Sequence, residues 1–248
     1  MSLSSCCLRA FQWSGTPTGR VDKLAGNDTY IAGDNPDAAI LFVHDVLGWT
    51  FPNARLLADH YAREANATVY LVDFFGGEIV PPAPVLAGEF HKIDLPGIVK
   101  RNAREIREPE IFACARALRQ KYRKVGAVGY CYGGWAVFRL GAAEHDPPLV
   151  DCVSAGHPSL LTTKDIDEVA VPVQLLAPEI DPTFAPELKT HAFETLSKRK
   201  QEFDYRHFAG VQHGALVRGD ENVPGERLAM ARAKDAAVAW FNQFLHEP

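Results

Sequence analysis

Short strand-like runs alternate with helical stretches along most of the chain, and this alternation restricts the fold more than any other feature of the sequence. Most of the runs are apolar at successive positions, which is typical of strands buried on both faces. Strands that alternate with helices form a mostly parallel sheet with helices on both faces, so we predict an α/β fold. The predicted strands span residues 38–44, 67–73, 125–130, 152–155, 171–177 and 202–208, and the predicted helices span residues 53–64, 108–122, 133–143, 185–198 and 225–245.

The length of the chain predicts a single domain over residues 1–248, because the sequence contains no internal repeat and no linker between two halves. Its first thirty or so residues are predicted to form an irregular entry with one or two short edge strands. Residues 76–97 are rich in proline and glycine, which predicts a long, irregular surface excursion. A domain of this size leaves little room for a large lid domain.

Composition argues against several classes of protein. The 31 acidic residues outnumber the 26 basic residues, and the net charge of −5 disfavours a nucleic-acid-binding protein. No apolar run reaches the roughly 18 residues that a membrane span requires. The first residues lack the basic start and apolar core of a secretory signal. We therefore expect a soluble, cytoplasmic protein that binds neither nucleic acid nor a membrane.

Four of the five cysteines offer no pattern that indicates chemistry. Their spacing predicts neither a disulfide framework nor a zinc site built on paired CxxC units, and we expect no metal site. Cys114 in a predicted helix and Cys152 in a predicted strand are interpreted as inert core thiols. Cys6 and Cys7 lie near an end of the chain that we expect to be mobile, and we assign them no role.

The fifth cysteine, Cys131, lies in the segment GYCYGG between a predicted strand and a predicted helix. This is the G-x-nucleophile-x-G pattern of a nucleophile elbow, with cysteine in place of serine. Gly129 and Gly133 keep side chains out of the tight turn, and Gly134 allows the helix to pack close to the sheet. The helix N-terminus favours a thiolate and a developing oxyanion. By itself, the motif fits a buried cysteine in a glycine-rich turn equally well.

An acid and a base follow the elbow in the order nucleophile, acid, histidine, which is the order of an α/β-hydrolase. A thiol with an ordinary pKa of about 8.5 is mostly protonated at neutral pH, so it needs a base. His213 follows the last predicted strand between two glycines, and we interpret it as that base rather than as a surface histidine. The preceding strand leads into PEIDP, where we prefer Asp181 over Glu179 as the acid.

The segments around these residues resemble the dienelactone hydrolases (carboxymethylenebutenolidases), and most of all their eukaryotic branch. The resemblance rests on GYCYGG, LAPEIDP and HGALVRG, extends to AFQWSGTPTG and DHYA, and covers nearly the whole chain. It implies an α/β-hydrolase fold and a triad of Cys131, Asp181 and His213. It also implies an oxyanion hole made by the backbone N–H groups of Tyr132 and Val46, and such donors lower a barrier by ~3–4 kcal/mol each.

The loop after the strand at residues 38–44 departs from the family's pattern. Bacterial members carry a glutamate there that contacts the resting thiol, whereas this chain has Asp45, which is one methylene shorter. Asp45 therefore either helps to activate Cys131 or holds the loop through hydrogen bonds to backbone N–H groups. Trp49 and Phe51 follow in the same loop and form either an aromatic wall of the substrate pocket or part of the core.

Two further residues are predicted to face the substrate. His157 follows the predicted strand at residues 152–155, so its loop lies at the carboxyl ends of the strands, where ligands bind in open α/β sheets. Arg218 follows His213 closely in sequence. It either binds a substrate carboxylate in a bidentate pair or forms a solvated pair with Asp220.

These residues predict acyl transfer to sulfur from a small lactone or an activated ester. The Cys131 thiolate attacks the carbonyl, His213 moves the proton, Asp181 orients the imidazole, and water hydrolyses the resulting thioester. A thiolate leaves more readily than an ordinary alkoxide, so an enol lactone suits this nucleophile better than an unactivated ester. We expect no metal and no organic cofactor, and a monomer or homodimer that acts on a small molecule.

Two alternatives remain open. One is an esterase or thioesterase for a specialised metabolite that uses the same triad, with residues 76–97 shaping a larger pocket. The other is a catalytically silent α/β-hydrolase that serves as a binding protein. The intact elbow, acid and histidine argue against the second alternative, because a silent scaffold has no chemical need of all three.

Overall fold

A computed structural model describes residues 5–246 and contains one eight-stranded sheet. The strands are β1 (Arg20–Leu24), β2 (Asn27–Ala32), β3 (Ala38–Val43), β4 (Thr68–Val72), β5 (Lys124–Tyr130), β6 (Cys152–Gly156), β7 (Val173–Ile180) and β8 (Phe203–Gln212). Their order in the sheet is β1-β2-β4-β3-β5-β6-β7-β8. The six strands β3 to β8 run parallel to one another, and β2 pairs with β4 in the antiparallel direction. The predicted α/β fold is therefore confirmed, and the antiparallel hairpin of β1 and β2 forms the predicted edge.

The helices between the strands cover both faces of this sheet. They are α1 (Pro52–Glu64), α2 (Pro82–Leu86), α3 (Leu95–Arg101), α4 (Arg104–Lys121), α5 (Gly133–Leu140), α6 (Thr163–Glu168), α7 (Pro186–Leu196), α8 (Ala215–Arg218) and α9 (Pro224–His246). Within residues 5–246, no helix combines the length and the apolar composition needed to cross a membrane.

The core consists of two apolar layers, one on each face of the sheet. Successive strand residues point to opposite faces. In β3, Leu41 and Val43 accordingly join the layer under α4 to α7, whereas Ile40 and Phe42 join the layer under α1 and α9. This arrangement explains why the central strands are apolar at every position, since both of their faces are covered.

The prediction that residues 76–97 form an irregular excursion is wrong. It contains α2, a 3-10 helix at Phe90–Lys92 and the start of α3, and its apolar residues Val80, Val85 and Ile93 are buried. Its prolines begin helices rather than interrupt them, because the first turn needs no backbone N–H from its residues. The short helix α6 was also not predicted, although Thr162 and Asp165 form a capping box at its start.

Candidate active site

Three parallel strands end at the same edge of the sheet, and each leads directly to one of the predicted site residues. Cys131 follows β5, Asp181 follows β7 and His213 follows β8. The carboxyl ends of parallel strands are where open α/β sheets bind ligands. The structure thus brings together three residues that are widely separated in the sequence.

The turn that carries Cys131 is tight and requires glycine on both sides. Cys131 has a φ of +49°, a left-handed conformation that few non-glycine residues adopt. A Cβ at Gly129 would lie 2.2 Å from the carbonyl oxygen of Gly133, and one at Gly133 would lie 2.1 Å from that of Val43. Gly134 allows a close approach to Pro158, in the loop after β6, rather than to the sheet itself. The turn holds the cysteine at the N-terminus of α5 in a strained backbone, as a nucleophile elbow does.

Cys131, His213 and Asp181 form one connected, buried chain of polar contacts. His213 Nε2 lies 3.2 Å from Cys131 Sγ, and His213 Nδ1 lies 2.9 Å from Asp181 Oδ1. The backbone N–H groups of Thr183 and Phe184 also donate to Asp181 Oδ1, which fixes the carboxylate. Glu179, the weaker candidate for the acid, is exposed and accepts a hydrogen bond from the backbone of Gly210.

The charges in this chain favour an ion pair between thiolate and imidazolium. Burial opposes ionisation of Cys131, but a hydrogen bond with Cys7 and the neighbouring His213 and Arg218 outweigh it, so the pKa of Cys131 is well below its ordinary value. Burial also opposes the charge on His213, yet Cys131 and Asp181 raise its pKa to about 10. Against the effect of burial, His213 lowers the pKa of Asp181 to about 2. The directions of these shifts favour the charged form of all three groups.

A pair of hydroxyl groups, which the sequence interpretation missed, connects the two ends of this chain. Ser159 Oγ lies 3.4 Å from Cys131 Sγ and donates to Thr183 Oγ1 at 2.9 Å. Thr183 Oγ1 in turn donates to Asp181 Oδ1 at 2.9 Å. Both residues lie in loops that follow β6 and β7, so their position at the carboxyl ends of strands was the only signal in the sequence.

Cys7 lies in this cluster, whereas the sequence interpretation placed it near a mobile end of the chain and assigned it no role. It belongs to a 3-10 helix (Ser5–Leu8), is buried, and places its Sγ 3.5 Å from His213 Nε2. The two sulfurs and the imidazole nitrogen lie within 4.8 Å of one another. No local pattern reveals this proximity, because it joins residues 206 positions apart. The side chain of Cys6 lies outside the described part of the chain.

Asp45 and Arg218 form a buried ion pair beside the triad. Arg218 Nε lies 2.7 Å from Asp45 Oδ2, and both side chains are less than a tenth exposed. The backbone N–H of Leu47 donates to Asp45 Oδ1 at 2.8 Å, which corresponds to the loop-holding alternative for this carboxylate. Arg218 pairs with Asp45 rather than with Asp220, whose carboxylate instead accepts hydrogen bonds from Asn222.

We expect Asp45→Asn to lower the free energy of unfolding by about 3–5 kcal/mol, because it leaves the Arg218 guanidinium buried without its counter-charge. Denaturant unfolding monitored by circular dichroism measures this change. Lys23→Met is the matched control, since Lys23 and Asp28 form an exposed ion pair whose loss has little effect on stability. A change in Asp45→Asn no larger than that in the control would contradict the structural role of the buried pair.

The remaining residues predicted for the pocket or the oxyanion hole lie in different parts of the core. Val46 and Phe51 are buried in the apolar layer that also contains Cys131, as is Tyr132, which directly follows Cys131. Trp49 is partly exposed and packs against the guanidinium of Arg55.

His157 lies against the triad histidine. Its ring is buried, with its centroid 4.8 Å from that of His213 in an edge-to-face arrangement. Burial and the nearby charge of His213 hold the pKa of His157 well below its ordinary value. Among the described residues, neither ring nitrogen of His157 has a hydrogen-bond partner. The ring is therefore neutral and does not compete with His213 for the carboxylate of Asp181.

Comparison with known proteins gives consistent matches over nearly the whole chain. Residues 28–245 match the model of the dienelactone hydrolase family. The chain is 30% identical to the hydrolase tropI of Talaromyces stipitatus, over 98% of this chain and 97% of that protein. It is 27% identical to the carboxymethylenebutenolidase homolog of Homo sapiens, over 92% of this chain and 91% of that one. Its fold matches the crystal structure of a dienelactone hydrolase from Anabaena variabilis with a TM-score of 0.65, at 18% identity, over 92% of this chain and 98% of that chain.

Proposed function

We propose that this chain, which belongs to the dienelactone hydrolase family and is a carboxylic ester hydrolase, opens small lactones or activated esters through a thioester on Cys131. The proposal rests on the buried contacts that His213 makes with the two other residues. Its Nε2 lies 3.2 Å from Cys131 Sγ, and its Nδ1 lies 2.9 Å from Asp181 Oδ1. A nucleophile, a base and a group that orients the base are the parts that acyl transfer requires.

In the first half of the reaction, the Cys131 thiolate attacks the carbonyl carbon of the substrate. The backbone N–H groups of Tyr132 and Val46 receive the negative charge that develops on the carbonyl oxygen. The C–O bond of the ester then breaks, and the His213 imidazolium donates a proton to the departing oxygen. Asp181 holds the imidazole ring in line with the sulfur throughout this step.

In the second half, water hydrolyses the thioester. Neutral His213 accepts a proton from the attacking water, the second tetrahedral intermediate expels the thiolate, and the ion pair between Cys131 and His213 is restored. The depressed pKa of Cys131 makes its thiolate a good leaving group in this step. Besides the substrate and water, the proposed cycle uses groups of this chain.

The same depressed pKa restricts the substrates that react productively. In the first tetrahedral intermediate, the thiolate and the substrate oxygen compete to leave. An ordinary alkoxide loses this competition, whereas the enolate of an enol lactone or the phenolate of an aryl ester wins it. The proposed function is therefore specific for esters with a stabilised leaving group.

A panel containing an enol lactone, an aryl ester, an alkyl ester and an acyl thioester tests this specificity. We expect the enol lactone and the aryl ester to be hydrolysed and the alkyl ester to react far more slowly, as measured by kcat/KM. Fast hydrolysis of the thioester alone would favour the thioesterase alternative. If no member reacts faster than in buffer, the proposed function is wrong and the chain is better described as a binding protein.

A further inference from the structure

The N-terminal segment covers the candidate active site, and its cysteine faces the nucleophile. We refer to residues 7–10 as the N-terminal cover. Cys7, Leu8 and Ala10 are buried in the same apolar layer as Cys131. Arg218 holds the cover through its Nη1, which donates to the carbonyl oxygens of Cys7 and Arg9 at 2.7 and 2.9 Å. Under this cover, Cys131 has no solvent-exposed surface.

We propose that Cys7 and Cys131 form a reversible disulfide when a hydroperoxide oxidises the protein, and that this bond locks the N-terminal cover over the nucleophile. The proposal rests on the position of the two thiols. Their sulfurs lie within 4.8 Å of each other, and His213 Nε2 is 3.2 Å from one and 3.5 Å from the other. The same imidazole therefore contacts both sulfurs that would react.

The first step is the oxidation of Cys131 by the hydroperoxide. The thiolate sulfur attacks one peroxide oxygen, the O–O bond breaks, and two electrons pass from sulfur to oxygen. With hydrogen peroxide, the products are a sulfenic acid on Cys131 and hydroxide, which takes the proton of the His213 imidazolium to become water and leaves His213 neutral. The ionised state of Cys131 favours this step over oxidation of Cys114 or Cys152, because burial raises the pKa of both of those thiols.

The second step is the closure of the disulfide. His213 accepts the proton of the Cys7 thiol, and the sulfur of Cys7 attacks the sulfenic sulfur. The S–O bond breaks, and the departing hydroxide takes the proton from His213 to become water. Two thiols and one hydrogen peroxide thus give one disulfide and two molecules of water. A dithiol reverses the reaction by thiol–disulfide exchange. A thiol held next to the sulfenic acid reacts before a second peroxide arrives, so it protects Cys131 from irreversible oxidation.

The bond would stop hydrolysis for two reasons. It consumes the nucleophile, and it fixes the cover that must move before a substrate reaches Cys131. Although the loss of activity rests on the proposed function, the formation of the bond does not, because peptide mapping detects the bond without any substrate.

The test is peroxide treatment of the full-length, reduced protein in the presence of a chelator, so that no metal bridges the thiols. Remaining thiols are blocked, and the protein is digested with trypsin without reduction. We expect mass spectrometry to find the peptide of residues 1–9 linked to that of residues 125–139. We also expect hydrolytic activity to fall and to return after treatment with dithiothreitol.

Cys6→Ser and Cys7→Ser form a matched pair, because they remove neighbouring thiols from the same peptide. Cys6→Ser should retain the linked peptide and the recovery of activity. Cys7→Ser should lose both and accumulate sulfinic or sulfonic acid on Cys131, and Cys7→Ala provides a second variant if the serine variant does not fold. A link that survives Cys7→Ser but not Cys6→Ser would overturn the assignment, as would irreversible oxidation of the wild type. A linked peptide in a protein that hydrolyses no ester would leave the disulfide standing and remove the proposed function.

Discussion

Cys131→Ala is expected to lower kcat for an activated lactone or aryl ester by about 10³–10⁶-fold while leaving the fold intact. The variant removes the thiolate that forms the acyl intermediate in the proposed reaction. The oxyanion donors and the binding surface remain, which explains why some catalysis over the buffer rate would persist. Stopped-flow measurement of product release under saturating substrate gives kcat directly.

Cys152→Ala is the matched control for this loss. Cys152 is also fully buried, and it lies in β6, the strand next to the one that leads to Cys131. Removal of its sulfur should leave kcat close to that of the wild type. Retained turnover in Cys131→Ala, or an equal loss in both variants, would assign the nucleophile to another residue.

Cys131→Ser separates the geometry of the elbow from the chemistry of the sulfur. The serine hydroxyl occupies the same place but has no thiolate at neutral pH. We expect the variant to react far more slowly than the wild type and to accumulate no thioester. The ultraviolet absorbance of a thioester during a burst of acylation therefore distinguishes the two proteins.

His213→Ala is expected to lower kcat/KM by about 10³-fold or more, because the variant loses the general acid, the base and the counter-ion of the thiolate together. His191→Ala is the matched control, since His191 pairs with Asp167 at the surface, away from the cluster. Initial rates at low substrate concentration measure the effect. A loss of activity similar in the two variants would contradict the assigned role of His213.

The His213→Ala variant also tests how the alkylation rate of Cys131 depends on pH. The folded pKa of Cys131 is depressed, so its thiolate is present above that pKa and is lost only as the pH falls through it. Alkylation of the wild type by iodoacetamide should therefore be nearly independent of pH across the neutral range. In His213→Ala, the thiol regains a pKa closer to the ordinary value of about 8.5, and the rate should rise about tenfold per pH unit below it.

Cys114 and Cys152 serve as internal references in this experiment. Burial raises the pKa of both thiols, that of Cys114 to about 12, so their alkylation should be slow at every pH tested. Peptide mapping reports the three sites separately. A labelling rate of wild-type Cys131 that rises about tenfold per pH unit through the neutral range would show that the ion pair does not form.

Local sequence patterns were sufficient for the fold and for the order of the candidate triad. Apolar runs buried on both faces predicted β3 to β7, and the boundaries agree with the structure to within a few residues. Since parallel strands end at one edge of the sheet, the loops after β5, β7 and β8 had to meet. Cys131, Asp181 and His213 come together for that reason.

Only the tertiary structure decided which loops contact each other, because no sequence pattern relates those loops. Ser159 and Thr183 connect Cys131 to Asp181 through hydroxyl groups that are ordinary in sequence. Arg218, the last residue of α8, pairs with Asp45 in the loop after β3. Backbone periodicity records which face of its own element a residue occupies, but not which distant side chain lies opposite.

The cysteine that defines the site illustrates this division. Glycines and element boundaries placed Cys131 on a strained turn at a helix N-terminus, and these are local requirements that a sequence records. The position of Cys7 beside it depends on the packing of the N-terminal cover, across 206 residues, against the carboxyl edge of the sheet. The sequence alone therefore determined where Cys131 lies in the fold, and only the packed chain decided which groups touch it, because those contacts arise from the burial of distant apolar segments in a common layer.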